Sequence, residues 1–231
     1  MSSSGLQLKL IALMVLGLGF GLVSMPAHGQ VELKPGLRVG FNSASFAGDN
    51  DKFIEGLADN LAFTGEVTGG RRSGFTAGGF LVVDFAGPFA LQPELRYIQR
   101  GYAFDIDSDS ELETVESTMR FDYIDIAALA RYDIPVSGFT PHLIAGPTLG
   151  FDTKSELEVE GSGESETSDL SDGWNGTDFG LELGAGAEFG LGAAALIMDA
   201  RVGIGISDLI NENDEITIRN NSVMLTAGII F

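Results

Sequence analysis

Asp178-Phe179-Gly180-Leu181-Glu182-Leu183-Gly184-Ala185-Gly186-Ala187-Glu188-Phe189 alternates without a break. One face carries Phe179, Leu181, Leu183, Ala185, Ala187 and Phe189, and the other carries Asp178, Gly180, Glu182, Gly184, Gly186 and Glu188. A period of two marks a strand with one apolar face. Ala195 to Ser207 repeats the pattern, with Leu196, Met198, Ala200, Val202, Ile204 and Ile206 set against Asp199, Arg201, Gly203 and Gly205.

Worked outward, the same test predicts strands at 34–42, 74–85, 89–104, 120–134, 140–152, 178–189, 195–207 and 222–231. The connections alternate long and short. Ala86-Gly87-Pro88, Pro135 to Phe139 and Gly190 to Ala194 are the tight turns. This is the layout of an all-β, eight-stranded antiparallel up-and-down transmembrane barrel, with short periplasmic turns on one rim and long extracellular loops on the other. An even strand count puts both chain ends on the short-turn side.

Alternation alone does not separate a membrane barrel from a soluble one, because only the direction of the apolar face differs. The polar face decides. It is built of glycines, among them Gly36, Gly40, Gly78, Gly146, Gly150, Gly203 and Gly228, mixed with charges of both signs. Missing side chains suit a cramped interior rather than a wet exterior. The charged members expected to pair across the lumen are Arg38, Glu94, Arg96, Asp125, Arg131, Glu182, Glu188, Asp199 and Arg201, with Asp84, Arg100, Asp133 and Asp178 on the same parity. Buried charges persist only when paired and hydrogen-bonded, so the expectation is a filled polar lumen. Phe75 and Phe85, and likewise Phe179 and Phe189, lie ten residues apart on outward parities. At ~3.3 Å per residue and a ~45° tilt, that spans roughly 23 Å, close to the ~25 Å apolar band between aromatic girdles.

Composition agrees with a division of labour along the chain. Of 231 residues 44% are hydrophobic, yet 33 acids face 13 bases, for a formal charge of -20. Two-thirds of those acids fall in the four long connections. A nucleic-acid partner is excluded by repulsion. Cysteine is absent, which removes disulfides, thiolate metal sites and a lipoprotein anchor.

Residues 1–29 read as a signal peptide. Lys9 precedes an apolar run from Leu10 to Met25, and Ala27 and Gly29 supply the small residues of a cleavage site. Residues 30–231 are then the outer-membrane barrel domain, exported and inserted through strands, since no later segment has the length of a membrane helix. The alternating face of Val223, Leu225, Ala227, Ile229 and Phe231 ends on an aromatic residue, which reads as a C-terminal signal for the barrel-assembly machinery.

Leu37-Arg38-Val39-Gly40-Phe41-Asn42, Phe89 to Tyr97, Tyr123-Ile124-Asp125-Ile126 and Ala145 to Gly150 together resemble the PorT-like outer-membrane β-barrel family, also described as the porin-family outer-membrane protein β-barrel domain. The resemblance runs across the mature chain and implies an architecture and an outer-membrane location. It implies a transport role only by way of those family members that take part in protein secretion.

Chemistry is sparse. His28 leaves with the signal peptide, and His142 sits on the inward parity near the short-turn rim, away from the long loops where a barrel enzyme needs its base. No catalytic residue and no cofactor are assigned. Asp105, Asp107, Asp109 and Glu116 occupy positions 1, 3, 5 and 12 of a calcium-loop pattern, but Ser110 replaces the glycine required at position 6 and strands flank the segment. A solvated acidic loop is the competing reading, and no metal site is assigned.

Three local expectations complete the reading. Glu156, Glu158 and Glu160 alternate with Leu157 and Val159 as in a hairpin above the membrane, and Phe53 to Leu61 has the spacing of a short helix. Tyr102 and Phe104 fall off the outward parity, which suggests a bulge near Gly101. The function expected is a structural or surface-interaction barrel seated in outer-membrane lipid. The alternatives are a transport or secretion component meeting other cell-envelope proteins, and a soluble periplasmic ligand-binding barrel.

Overall fold

In the computed structural model the described residues are 31–49, 52, 65–85, 87–108, 114–161, 164–170, 174–210 and 216–231. They contain nine strands, β1 (Glu32–Gly48), β2 (Gly65–Asp84), β3 (Phe89–Ser108), β4 (Thr114–Asp133), β5 (Thr140–Gly161), β6 (Glu164–Asp169), β7 (Thr177–Gly190), β8 (Ala195–Gly205) and β9 (Ile218–Ile230). All pair antiparallel in the order β4-β3-β2-β1-β9-β8-β7-β5-β6, and β4 also pairs with β5. That last pairing closes eight strands into a barrel. The ninth, β6, pairs with the far end of β5 and completes the hairpin expected around Glu156 to Glu160, with Glu156 opposite Asp169.

The wall has a clear inside and outside. Val39, Phe41, Phe89 and Leu225 are each more than 60% exposed, while Arg38, Glu94, Asp125 and Arg201 on the opposite parity are each under 5% exposed. An exposed apolar surface that wraps the barrel far exceeds what a soluble monomer shows. Outward aromatics pack in pairs at the two edges of this band. Phe75 meets Tyr97 toward the long loops, and Phe89 meets Tyr132 and Phe139 meets Phe189 toward the short turns. The soluble-barrel alternative is overturned by this polarity.

Six strands outrun their predicted limits by four residues or more, β1 reaching Gly48 rather than 42 and β9 beginning at Ile218 rather than 222. β2 begins at Gly65 rather than 74, β3 continues to Ser108, β4 starts at Thr114 and β5 runs to Gly161. The apolar alternation that reveals a strand exists only where one face meets lipid. Above the bilayer both faces can be polar, so pairing continues without that signature. As a result β2 to β5 have 20 to 22 residues, whereas β7, β8 and β9 have 11 to 14. The helix expected at 53–61 lies outside the described residues.

The bulge expected near Gly101 is on a different strand. β3 pairs with β4 in unbroken register from Phe89↔Tyr132 to Asp107↔Thr114. The shift lies between β2 and β3, where Arg71 pairs with Tyr102 but Thr76 pairs with Ile98, so β2 carries the extra residue. Gly101 faces it with φ +139°, and a Cβ there would run into the Met119 carbonyl oxygen. Tyr102 and Phe104 simply point inward.

Candidate functional site

The candidate site is the lumen, which is filled in three layers. At the short-turn end Phe80, Val82, Ala90, Ala195, Ile197 and Ile230 form an apolar layer. The middle is ionic. At the long-loop end Phe46, Ile98, Tyr102, Phe104, Met119, Phe121, Tyr123, Leu209, Ile218 and Met224 form a second apolar layer, with Trp174 packed against it.

Strand parity delivers each charged group to the middle layer, and glycine makes room for it. Arg38 pairs in register with Gly78 on β2 and Gly228 on β9. Glu182 lies between Gly146 and Gly203, Asp125 is opposite Gly150, and Arg201 is opposite Gly184. His142 and Asp199 both flank Gly186, where an added Cβ would sit 2.6 Å from His142 Nε2. The glycine face noted in the sequence is thus the space that long side chains occupy from neighbouring strands.

All nine lumen residues singled out from sequence face the interior. Arg38 Nη1 lies 2.9 Å from Glu94 Oε1 and 3.1 Å from Asp199 Oδ2. Arg96 donates to Glu182 at 3.1 Å and to Asp125 at 3.2 Å. Arg201 reaches Glu94, Glu182 and Asp199 at 2.9, 2.8 and 2.9 Å. Arg131 lies toward the short turns, 2.7 Å from both Glu188 and Asp133, and donates to Gln92 at 3.4 Å. Arg201 is on β8 and Glu94 on β3, four strands away in either direction around the closed wall. Their bond therefore runs along a diameter, and no open pore passes that level.

Several members of the network were missing from the nine. Arg100 donates to Asp125 at 2.6 Å and Asp178 accepts from Asn220 at 3.0 Å. Gln92 donates to Glu94 at 2.7 Å, and His142 Nε2 lies 2.6 Å from Asp199 Oδ1. The Arg38 guanidinium also lies over the Phe80 ring, 4.1 Å from its centroid, a cation–π contact that joins the ionic and apolar layers. Parity marked Arg100 and Asp178 as inward; neutral Gln92 and Asn220 carried no charge to flag them.

The outer apolar layer is completed by loop segments. Trp174 and Ile210 form an isolated bridge, and Asp208 Oδ1 accepts from the backbone N–H of Ile210 at 3.2 Å and of Ile218 at 3.0 Å. This holds Leu209 fully buried at the mouth. Trp174 packs 4.6 Å from Phe121 and 5.8 Å from Phe46, ring centroid to centroid.

Of the calcium-pattern residues, Asp105 and Asp107 belong to β3 and Glu116 to β4, with Asp105 and Glu116 opposite each other in register. Asp109 lies outside the described residues. Among the described residues no group of three or more acidic or histidine side chains is arranged to hold a metal ion.

The family model described as outer membrane protein beta-barrel domain matches residues 29–211. Among solved structures, Neisserial surface protein A is 15% identical, with 85% of this chain and 95% of that chain covered and a TM-score of 0.44. Ail, the attachment invasion locus protein of Yersinia pestis, solved with the heparin analogue sucrose octasulfate, is 17% identical over 87% of this chain and 99% of its own, with a TM-score of 0.41. The outer membrane protein OprG from Pseudomonas aeruginosa is 12% identical over 88% and 98%, with a TM-score of 0.42. No curated protein sequence matches the chain.

Proposed function

The chain belongs to the outer membrane protein beta-barrel domain family, and from that premise we propose that it serves as a closed, non-conducting barrel with a structural or surface-interaction role. It resides in the outer membrane, embedded in lipid. The observation that carries the reading is the Arg201–Glu94 contact across the full width of the lumen, stacked beneath the apolar layer around Trp174. A polar group fixed by several charge-assisted partners does not step aside for a passing solute without leaving buried charge unpaired. The strands that rise beyond the bilayer are the parts free to meet other molecules.

The finer assignment, to the PorT-like branch, rests on the stretches around Leu37, Phe89, Tyr123 and Ala145 and stays part of this proposal. Within it, residues 1–29 act as the export signal, Phe231 ends the segment read by the assembly machinery, and no enzymatic activity is assigned. Planar-bilayer recording on the purified barrel tests the reading. The expected trace is flat; discrete, reproducible channel steps would reject the closed barrel in favour of transport or secretion.

A further inference from the structure

The outer wall formed by β2, β1, β9 and β8 carries a groove of about 760 Å³ on its bilayer side. Register explains its shape. One row across the wall runs Ala77–Val39–Ala227–Met198, and the row next nearer the long loops runs Phe75–Phe41–Leu225–Ala200. Small side chains beside large ones leave a hollow with an apolar lining. Its volume is in the range of ligand-binding clefts.

Above the groove, toward the long loops, stand two arginines of unusual surroundings. Arg71, on β2 beyond the bulge and four residues past Phe75, lies on the outer face against Ser43 and Ser45, and Arg219 is on the outward parity of β9, six beyond Leu225; both are exposed. At ~3.3 Å per residue and ~45° tilt their Cα atoms lie roughly 9–14 Å above the row of Phe41 and Phe75, at and just above the outer edge of the lipid headgroup layer, from which long side chains reach down to it. Arg71 is held in position by Ser43 and Ser45. Its Nε donates to Ser43 Oγ at 2.8 Å, Nη2 to the Ser43 carbonyl at 2.5 Å and Nη1 to Ser45 Oγ at 3.2 Å. Three of its five donors are engaged and two remain.

Among the described residues neither arginine forms an ion pair, and Arg219 is near enough to the Asp49 carboxylate to help hold its pKa down; acids outnumber bases 33 to 13 in the chain. Elsewhere on the outer face Arg120 pairs with Glu158, and Lys154 pairs with Glu156 at 2.8 Å. Among the described residues the wall above the groove thus presents the Arg71 and Arg219 guanidiniums and the Ser43 and Ser45 hydroxyls, with the Asp49 carboxylate in electrostatic range of Arg219, over an apolar trough.

We propose that this wall binds one phosphorylated lipid of the outer leaflet. An acyl chain fills the groove, and the phosphate lies between Arg71 and Arg219, whose planar guanidinium forks match phosphate oxygens. The bulk charge of the protein repels anions, so binding depends on this local pair together with the groove.

Native mass spectrometry of the detergent-solubilised full-length barrel, titrated with phosphatidic acid, diacylglycerol and inorganic phosphate, tests the site. Phosphatidic acid should bind 1:1 and more tightly than diacylglycerol, and inorganic phosphate should not compete at equal concentration. R71Q/R219Q should weaken phosphatidic acid by roughly 25-fold, at about fivefold per arginine, and leave diacylglycerol unchanged. Ala227→Leu, which fills the groove, should weaken both lipids; K34Q, at the other rim, should change neither. Single R71Q and R219Q give the same readout if the double variant fails to show the heat-dependent gel shift of a folded barrel. Equal phosphatidic acid binding by R71Q/R219Q and wild type overturns the proposal. So does equal affinity for diacylglycerol, or competition by free phosphate at equal concentration.

Discussion

Arg201 shows how one residue can be both well chosen and costly. It is buried among Glu94, Glu182 and Asp199, all within 3 Å, and its desolvation is offset only by those three partners together. Replacing Arg201 with Met roughly retains volume and leaves three carboxylates, Glu94, Glu182 and Asp199, with only Arg38 and Arg96 to compensate them. The expected loss is about 3–5 kcal/mol, measurable by urea unfolding in lipid vesicles with the single tryptophan, Trp174, as reporter. Adding Glu94→Gln should recover part of that loss, since the second change removes one of the carboxylates left in excess over Arg38 and Arg96. A loss below about 1 kcal/mol for R201M would mean that water or rearrangement already screens the site. None of these partners was legible as a pair in the sequence. Parity says that Arg201 and Glu94 both face inward, but only closure of the wall shows that β8 and β3 stand opposite.

At the scale of elements, what could be read depended on what each strand touches. β7 and β8 announce themselves because lipid demands Phe179, Leu181, Leu183, Met198 and Val202 on alternate positions. The start of β2 around Arg71 and the start of β4 from Thr114 carry no such demand, so their sequence alone reads as loop. Tyr102 and Phe104 misled for a related reason, being apolar residues whose role is to close the mouth rather than to meet lipid. The top of β1 and the start of β9 are joined by a clasp that titrates. Asp49 N–H donates to the Thr217 carbonyl at 2.9 Å, and the Asp49 carboxylate accepts from the Thr217 N–H at 3.3 Å. The Lys52 ammonium, 3.0 Å away, and that N–H hold the Asp49 carboxyl below its usual value. A carboxyl lowered on folding contributes fully above its unfolded pKa and loses that contribution as pH falls through the folded one. Hydrogen exchange at the Thr217 amide should therefore stay slow down to about pH 4 and quicken below it. In Asp49→Asn it should lack that acid step; an identical step in the variant would assign it to another group.

For the whole molecule, the two kinds of filling act in series. The apolar layer around Phe46, Phe121 and Trp174 excludes water, and the ionic layer beneath spans the lumen by itself. Phe46→Ala with Trp174→Ala should thus remain silent in bilayer recordings, because Arg201 and Glu94 still meet beneath. Conductance in that variant would show that the ionic layer yields once water reaches it. The eight-strand closure and the outward band were legible from alternation, girdle spacing and the rhythm of the connections. The layering was not, because Phe46, Leu209 and Trp174 converge only once the strands and loops have folded.

The unequal strand lengths have a consequence for encounters in the plane of the membrane and above it. A barrel of equal staves would look the same from every compass direction. Here a tall rampart of β2 to β5 stands on one side and a low sill of β7 to β9 on the other. Among the described residues the barrel wall therefore has a front and a back, and a partner descending onto the cell surface meets the paired strands of the rampart before those of the sill.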